Sequence, residues 1–271
     1  MLRRRLILTS MATVVALHLF AGAAQAQVSA GWDAYQRGDF DGAIAVWRPA
    51  ALNGNPAAQY NLGILYDQGK GVDQDSGEAV RWWRAAAEQD YVPAIHNLAN
   101  SLIAGDGVAQ DYAEAVRWLE RGAERGFDRS IYTLGKMYSY GFGVPQDESK
   151  AVALFERAAS LGNPRAQYNL ARAFRDGDGV PVDLVRASTW YRRAAGQGDA
   201  QAQAALGQRY AAGEGVPQDM EKALYWTSLA AAQGLERAIE TRTAMIKILS
   251  PTMVERVDRF VSQFRPAPEK R

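Results

Sequence analysis

The chain has 271 residues, with 31 lysines and arginines against 30 aspartates and glutamates, a formal net charge of +1 and no cysteine. So balanced a charge gives no general argument for binding nucleic acid or lipid. The lack of cysteine excludes a disulfide framework, a thiolate metal site and a lipoprotein attachment site.

The chain opens with Arg3-Arg4-Arg5, continues through an apolar stretch from Leu6 to Ala24 and reaches Ala24-Gln25-Ala26. A charged start, an apolar centre and a small-residue end predict a cleavable secretory signal peptide over 1–26, with Gln27 as the first residue of the mature chain. No second long apolar run follows, so no stable membrane insertion is expected after cleavage. A leader of this bacterial type without an anchor places the protein in the periplasm, with release outside the cell as the alternative. Loss of the three leader arginines takes the formal charge from +1 to −2.

Residues 27–56 read as a short helical hairpin, carried by Trp32, Tyr35, Gly38-Asp39-Phe40, Ala43 and Trp47. From there a pattern recurs every 36 residues without an insertion. Its most visible part is Gly-x-Gly-Val, at Gly69 to Val72, Gly105 to Val108, Gly141 to Val144, Gly177 to Val180 and Gly213 to Val216. A leucine column (Leu62, Leu98, Leu134, Leu170, Leu206), a small-residue column beside it and an aspartate column (Asp75, Asp111, Asp147, Asp183, Asp219) keep the same step. Apolar positions three and four apart on either side of the glycines predict two short amphipathic helices per repeat. The glycines stop the first helix and the aspartates start the second. Tryptophans 82, 83, 118, 190 and 226 fall in these packing columns and are expected in the core. A nucleotide-binding reading of Gly-x-Gly needs a preceding strand and a third glycine, and neither is present.

The pattern A-x-x-x-L-G-x-x-Y-x-x-G-x-G-V-x-x-D-x-x-x-A-x-x-W closely resembles the Sel1-like repeat, a relative of the tetratricopeptide repeat. The resemblance implies an all-α fold, a right-handed α-solenoid of helix-turn-helix repeats, and an adaptor role. Five repeats would fill 57–236, capped at the start by the 27–56 hairpin. At the other end the pattern decays, with Arg242 and Thr243 where Leu and Gly are expected. Capping helices are expected over 237–264, the last opened by Ser250-Pro251 and carrying Val254, Val257, Val261 and Phe264 on one face. A disordered tail is expected over 265–271.

Catalytic signatures are missing. His96 is the one histidine of the mature chain, in a column otherwise filled by Tyr60, Tyr132, Tyr168 and Ala204. H-E-x-x-H, G-x-S-x-G and S-x-x-K do not occur. The repeated aspartates suit helix caps, whereas a general acid/base pair should be singular. No enzyme activity, cofactor or metal is therefore expected. One branch of the resembled family consists of cysteine-rich secreted proteins with penicillin-binding or β-lactamase activity, and the absence of cysteine separates this chain from it. A hydrolase of that kind stays as the third reading.

Binding is expected on the inner curve of the superhelix, from the stripe of each first helix opposite the packing stripe. That stripe carries Tyr60, Asn61, Asn97, Asn100, Arg129, Tyr132, Lys136, Arg165, Tyr168, Asn169, Arg172 and Arg175. The asparagines at 61, 97 and 169 match the position where peptide-binding tetratricopeptide domains hold a ligand's main chain, while Thr133 and Ala205 depart from it. Amides suit an extended backbone, and arginine forks suit acidic or C-terminal segments. The resemblance further implies a protein partner in the cell envelope, a sensor kinase or a cell-wall assembly protein, since some periplasmic members inhibit sensor kinases controlling exopolysaccharide synthesis. Peptidoglycan or another polysaccharide is the alternative ligand.

Overall fold

The computed structural model describes residues 28–267, so the leader lies outside the described residues. These residues form fourteen helices and no strand. They divide into two compact units, 28–121 and 122–267. The first holds α1 (28–36), α2 (Phe40–Leu52), α3 (Pro56–Gln68), α4 (Ser76–Glu88) and α5 (Val92–Ala104), and ends within α6 (Tyr112–Glu124). The second holds α7 (Asp128–Tyr140), α8 (Glu148–Ser160), α9 (Pro164–Asp176), α10 (Leu184–Gly196), α11 (Ala200–Ala212), α12 (Met220–Ala232), α13 (Glu236–Ile248) and α14 (Pro251–Gln263).

The repeated loop is fully tied down. All five aspartates of the column cap the second helix, each accepting a hydrogen bond from the backbone N–H three residues on, at 2.8 to 3.0 Å. Gln74, Gln110, Gln146 and Gln218 donate back to the last turn of the first helix, at Asp67, Ile103, Ser139 and Ala211, over 2.8 to 3.0 Å. This satisfies carbonyls that a helix end would otherwise leave unpaired. The first glycine of each pair caps the helix in the left-handed conformation, as at Gly213 with φ 74°. At Gly71, Gly107, Gly179 and Gly215 the second glycine lies close against the first turn of the preceding second helix, where a methyl group on Gly215 would overlap the Leu184 carbonyl.

A second set of ties joins consecutive repeats. The buried Gln59, Gln167 and Gln203 each donate to a carbonyl of the preceding helix, Ala51, Ala159 and Ala195. Each in turn accepts from a glutamine at the end of the next second helix, Gln89, Gln197 and Gln233, at 2.8 to 2.9 Å. In the two repeats between, the first position is Ile95 or Ile131 and its partner position is Arg125 or Leu161. The pair changes together: where the buried glutamine is isoleucine, its partner glutamine is replaced as well.

The tryptophans divide. Trp82 and Trp83 are buried, while Trp118, Trp190 and Trp226 are half-buried, contrary to the expected core position. The column of Trp82 runs along the rim of the hairpin, where cations cover the rings. Arg81 lies 4.5 Å from Trp82, Arg121 5.2 Å from Trp118 and Arg193 4.4 Å from Trp190.

Both ends are closed as the pattern requires. Trp47 is buried between α1 and α2, with its indole N–H on the Val28 carbonyl at 3.1 Å and Trp32 edge-on at 5.7 Å. At the other end Ser250 caps α14, whose Val257 is buried against the stack and whose last turn brings Phe264 to Trp226 at 6.3 Å. Arg242, where the pattern expects leucine, donates to Ser228 and Asp258 at 3.0 and 2.7 Å, so a polar strut joins α12, α13 and α14. Residues 265–267, expected as part of a disordered tail, run instead onto the α10–α11 turn. There the Ala267 N–H meets the Gly196 carbonyl at 2.9 Å and Pro266 packs on Gly198. The rest of that expected tail, 268–271, lies outside the described residues.

Candidate functional site

In the first unit the expected binding residues are largely spent within the protein. Tyr60 lies tilted on Tyr91, ring centroids 5.4 Å apart. Asn61 is only 2 % exposed, so it departs from the expected groove surface. It sits directly before Leu62 and Gly63, on the edge of the packing stripe, and the stripe takes it in. Asn97 is half-buried, and the exposed Asn100 turns its amide to His96 Nε2 at 3.1 Å.

The second unit brings residues together. A groove of about 490 Å³ is lined from α7 by Tyr132 and Lys136 and from α9 by Arg165, Tyr168, Asn169 and Arg172, six of the twelve expected residues. Arg175 lines a neighbouring groove of about 340 Å³ that shares Tyr168 and adds Arg237 and Gln201. Arg129 is exposed on the first turn of α7.

The aromatic floor is firm. Tyr132 lies tilted on Phe155 at 5.9 Å and Tyr168 on Tyr191 at 5.8 Å. Burial raises the Tyr132 phenol above its ordinary range and pushes Tyr191 up to about 12, so both stay neutral and keep their protons. Asn169 donates both amide protons inward, to the Tyr132 hydroxyl and the Arg165 carbonyl, each at 3.1 Å. Its Oδ1 has no donor among the described residues and stays as an acceptor in the groove.

The cations separate into two kinds. Arg175 holds Asp176 with two hydrogen bonds of 2.6 Å, which raise the guanidinium's pKa and lower the carboxylate's. Arg209 likewise pairs with Glu214. By contrast, no acceptor among the described residues engages the Arg165 or Arg172 guanidinium. The Lys136 ammonium has only the Tyr140 ring, 5.9 Å away. The groove's carboxylates are busier. Glu148 accepts from Ser139 and Gln146, and Asp199 caps α11 at Ala202, with burial raising its pKa. Asp178 stands at the groove edge in the Gly-x-Gly turn.

Tyr140, Phe155, Asp178 and Asp199 line this groove without having been expected there. Tyr140 had a signal, because the other residues of its column are Gln68, Ala104, Asp176 and Ala212. Asp178 is the unread middle residue of Gly-x-Gly, and Asp199 stands where the preceding repeat has Asn163.

The class of protein that this architecture defines is the all-α helical-repeat solenoid. The Sel1 repeat model matches residues 56–91, 92–127, 129–163, 164–199 and 200–235, and the chain belongs to the Sel1 repeat family. It is similar in structure to a protective antigen present in uropathogenic Escherichia coli strains that displays an SLR fold, with a TM-score of 0.79 and 30 % identity over 93 % of this chain. The chain spans 56 % of the length of that antigen. It is also similar to a Sel1 repeat protein from Oxalobacter formigenes, with a TM-score of 0.77 and 30 % identity, covering 88 % of this chain and all of that one. No curated protein matches the chain. Sel1 repeat folds generally serve as protein–protein interaction scaffolds and are typically non-enzymatic. Among the described residues no helix is long and apolar enough to cross a membrane, and no three side chains gather as a metal site.

Proposed function

We propose that the protein is a non-enzymatic adaptor of the bacterial periplasm, which holds a peptide segment or domain of an envelope partner in the groove between α7 and α9. The observation that carries this reading is the contrast in cations. Lys136, Arg165 and Arg172 line one groove with no acceptor from the protein, while Arg175 and Arg209 beside them are paired. Unpaired donors over a neutral aromatic floor are groups that gain most from a ligand. The leader sequence supports export, and a sensor kinase or cell-wall assembly protein is the kind of partner the family's periplasmic members suggest.

A crosslinked pull-down from the cell envelope tests this. The wild type should recover a protein that the Arg165→Glu, Arg172→Glu variant recovers at no more than about a tenth of that level, with its helical circular dichroism unchanged. Equal recovery by both would remove the groove from the interface.

A further inference from the structure

Taking that groove reading as its basis, we infer that the ligand is an acidic peptide in an extended polyproline-type conformation, with two carboxylates three residues apart.

Arg165 and Arg172 stand on the same face of α9, seven residues and so about 10.5 Å apart along the helix. Both are exposed, and neither has an acceptor among the described residues. With the two side chains extended in parallel from the helix, a ligand meets both by presenting two anions at about that separation on one side of its chain. In a β-strand, side chains on one face recur at about 6.7 and 13 Å, on either side of the required spacing. In the polyproline II helix, residues i and i+3 share a face about 9.3 Å apart, which meets the arginine pair without distortion. Lys136, one repeat earlier in the column of Arg172, extends the cationic line onto α7.

The backbone chemistry agrees. A polyproline II segment makes no internal hydrogen bonds, so its N–H groups are available. The Asn169 Oδ1 between the two arginines in sequence is an acceptor without a donor. Of the carboxylates that share the groove, none accepts a hydrogen bond from either arginine, although the Arg165 charge acts on Asp199. Glu148 and Asp199 are held by Ser139, Gln146 and Ala202, and Asp178 stands in the turn. Recognition then rests on two direct ion pairs, each charge-assisted and two-pronged, and not on a net field.

The test is fluorescence polarisation with three labelled, C-terminally amidated peptides that differ only at their centre and keep a backbone N–H between the two acidic positions: Asp-Ala-Pro-Asp, Asn-Ala-Pro-Asn and Ala-Asp-Asp-Pro. The first should bind about tenfold more tightly than the other two, and Arg165→Gln or Arg172→Gln should each weaken it about tenfold. Arg186→Gln should leave it unchanged, since Arg186 pairs with Glu156 and does not line the groove. Equal affinity for all three peptides, or full affinity in both glutamine variants, would overturn the inference. Displacement of the label by polygalacturonate at a lower carboxylate concentration than by unlabelled peptide would overturn it in favour of a glycan. If partner capture fails in the Arg165→Glu, Arg172→Glu variant while the three peptides are not distinguished, the spacing is wrong and the groove stands. If capture is indifferent to those charges as well, the groove reading itself fails.

Discussion

Replacing Gly215 with alanine should destabilise the second unit by about 2–5 kcal/mol, measured as a shift in its urea unfolding free energy. Two independent effects add at this residue. Its φ of +70° lies in the left-handed region, where an L side chain costs about 1–2 kcal/mol. The new methyl group would also overlap the Leu184 carbonyl, and because that atom is backbone in the first turn of α10, relief requires one helix to move off the next repeat's loop. Overpacking of this kind costs about 1–3 kcal/mol or more. Gly234 separates the two effects. It has φ +83° and open space where the methyl would go, so Gly234→Ala should cost only the conformational part, about 1–2 kcal/mol. Equal losses for the two substitutions would show that the second glycine is a turn residue and nothing more.

Gln167→Ile should cost about 1–3 kcal/mol, because it removes the bond to the Ala159 carbonyl and leaves the half-buried Gln197 amide with only one of its two acceptors, the Gly162 carbonyl. The third repeat shows a different solution, with Ile131 and Leu161 at the equivalent places. Adding Gln197→Leu to Gln167→Ile should therefore cost less than Gln197→Leu does alone, with a coupling of about 0.5–1.5 kcal/mol in a double-mutant cycle of unfolding free energies. Strict additivity would mean that the glutamines are neighbours without being partners.

These two features mark how far the sequence could be read. Helix positions, the aspartate caps and the helix-ending glycines were legible because each is a local rule: a period, a side chain bonding three residues on, a residue tolerant of positive φ. The close approach of Gly215 to Leu184 was not legible, since it joins residues 31 apart and depends on how neighbouring hairpins stack. The glutamine relay left a trace in the sequence, three Gln pairs at a spacing of 30 residues, but the trace lies off the 36-residue step that organises the rest. Arg242 shows the same limit, because an apparent lapse in the leucine column is a strut to Ser228 and Asp258.

The candidate site was half legible. Counting along the first helix named, in the second unit, six residues that line one groove. It could not tell a paired cation from an unpaired one. Arg175 and Arg172 look alike in the sequence, yet Asp176 pairs with the first in two hydrogen bonds, while the second makes none with a carboxylate among the described residues and feels Asp176 only at a distance. Nor could it see that Asn61 is covered while Asn169, in the same column, stays half open.

The central claim is that a partner is held in the groove of the second unit, and site-specific photocrosslinking in the cell envelope tests it most directly. A benzoylphenylalanine placed at Lys136 should give a crosslinked protein species that disappears when Arg165 and Arg172 are glutamates. The same label at the exposed Trp32 or Phe260 should give none. Crosslinks from Trp32 or Phe260 with none from position 136 would contradict the account and move the interface to the ends of the repeat array.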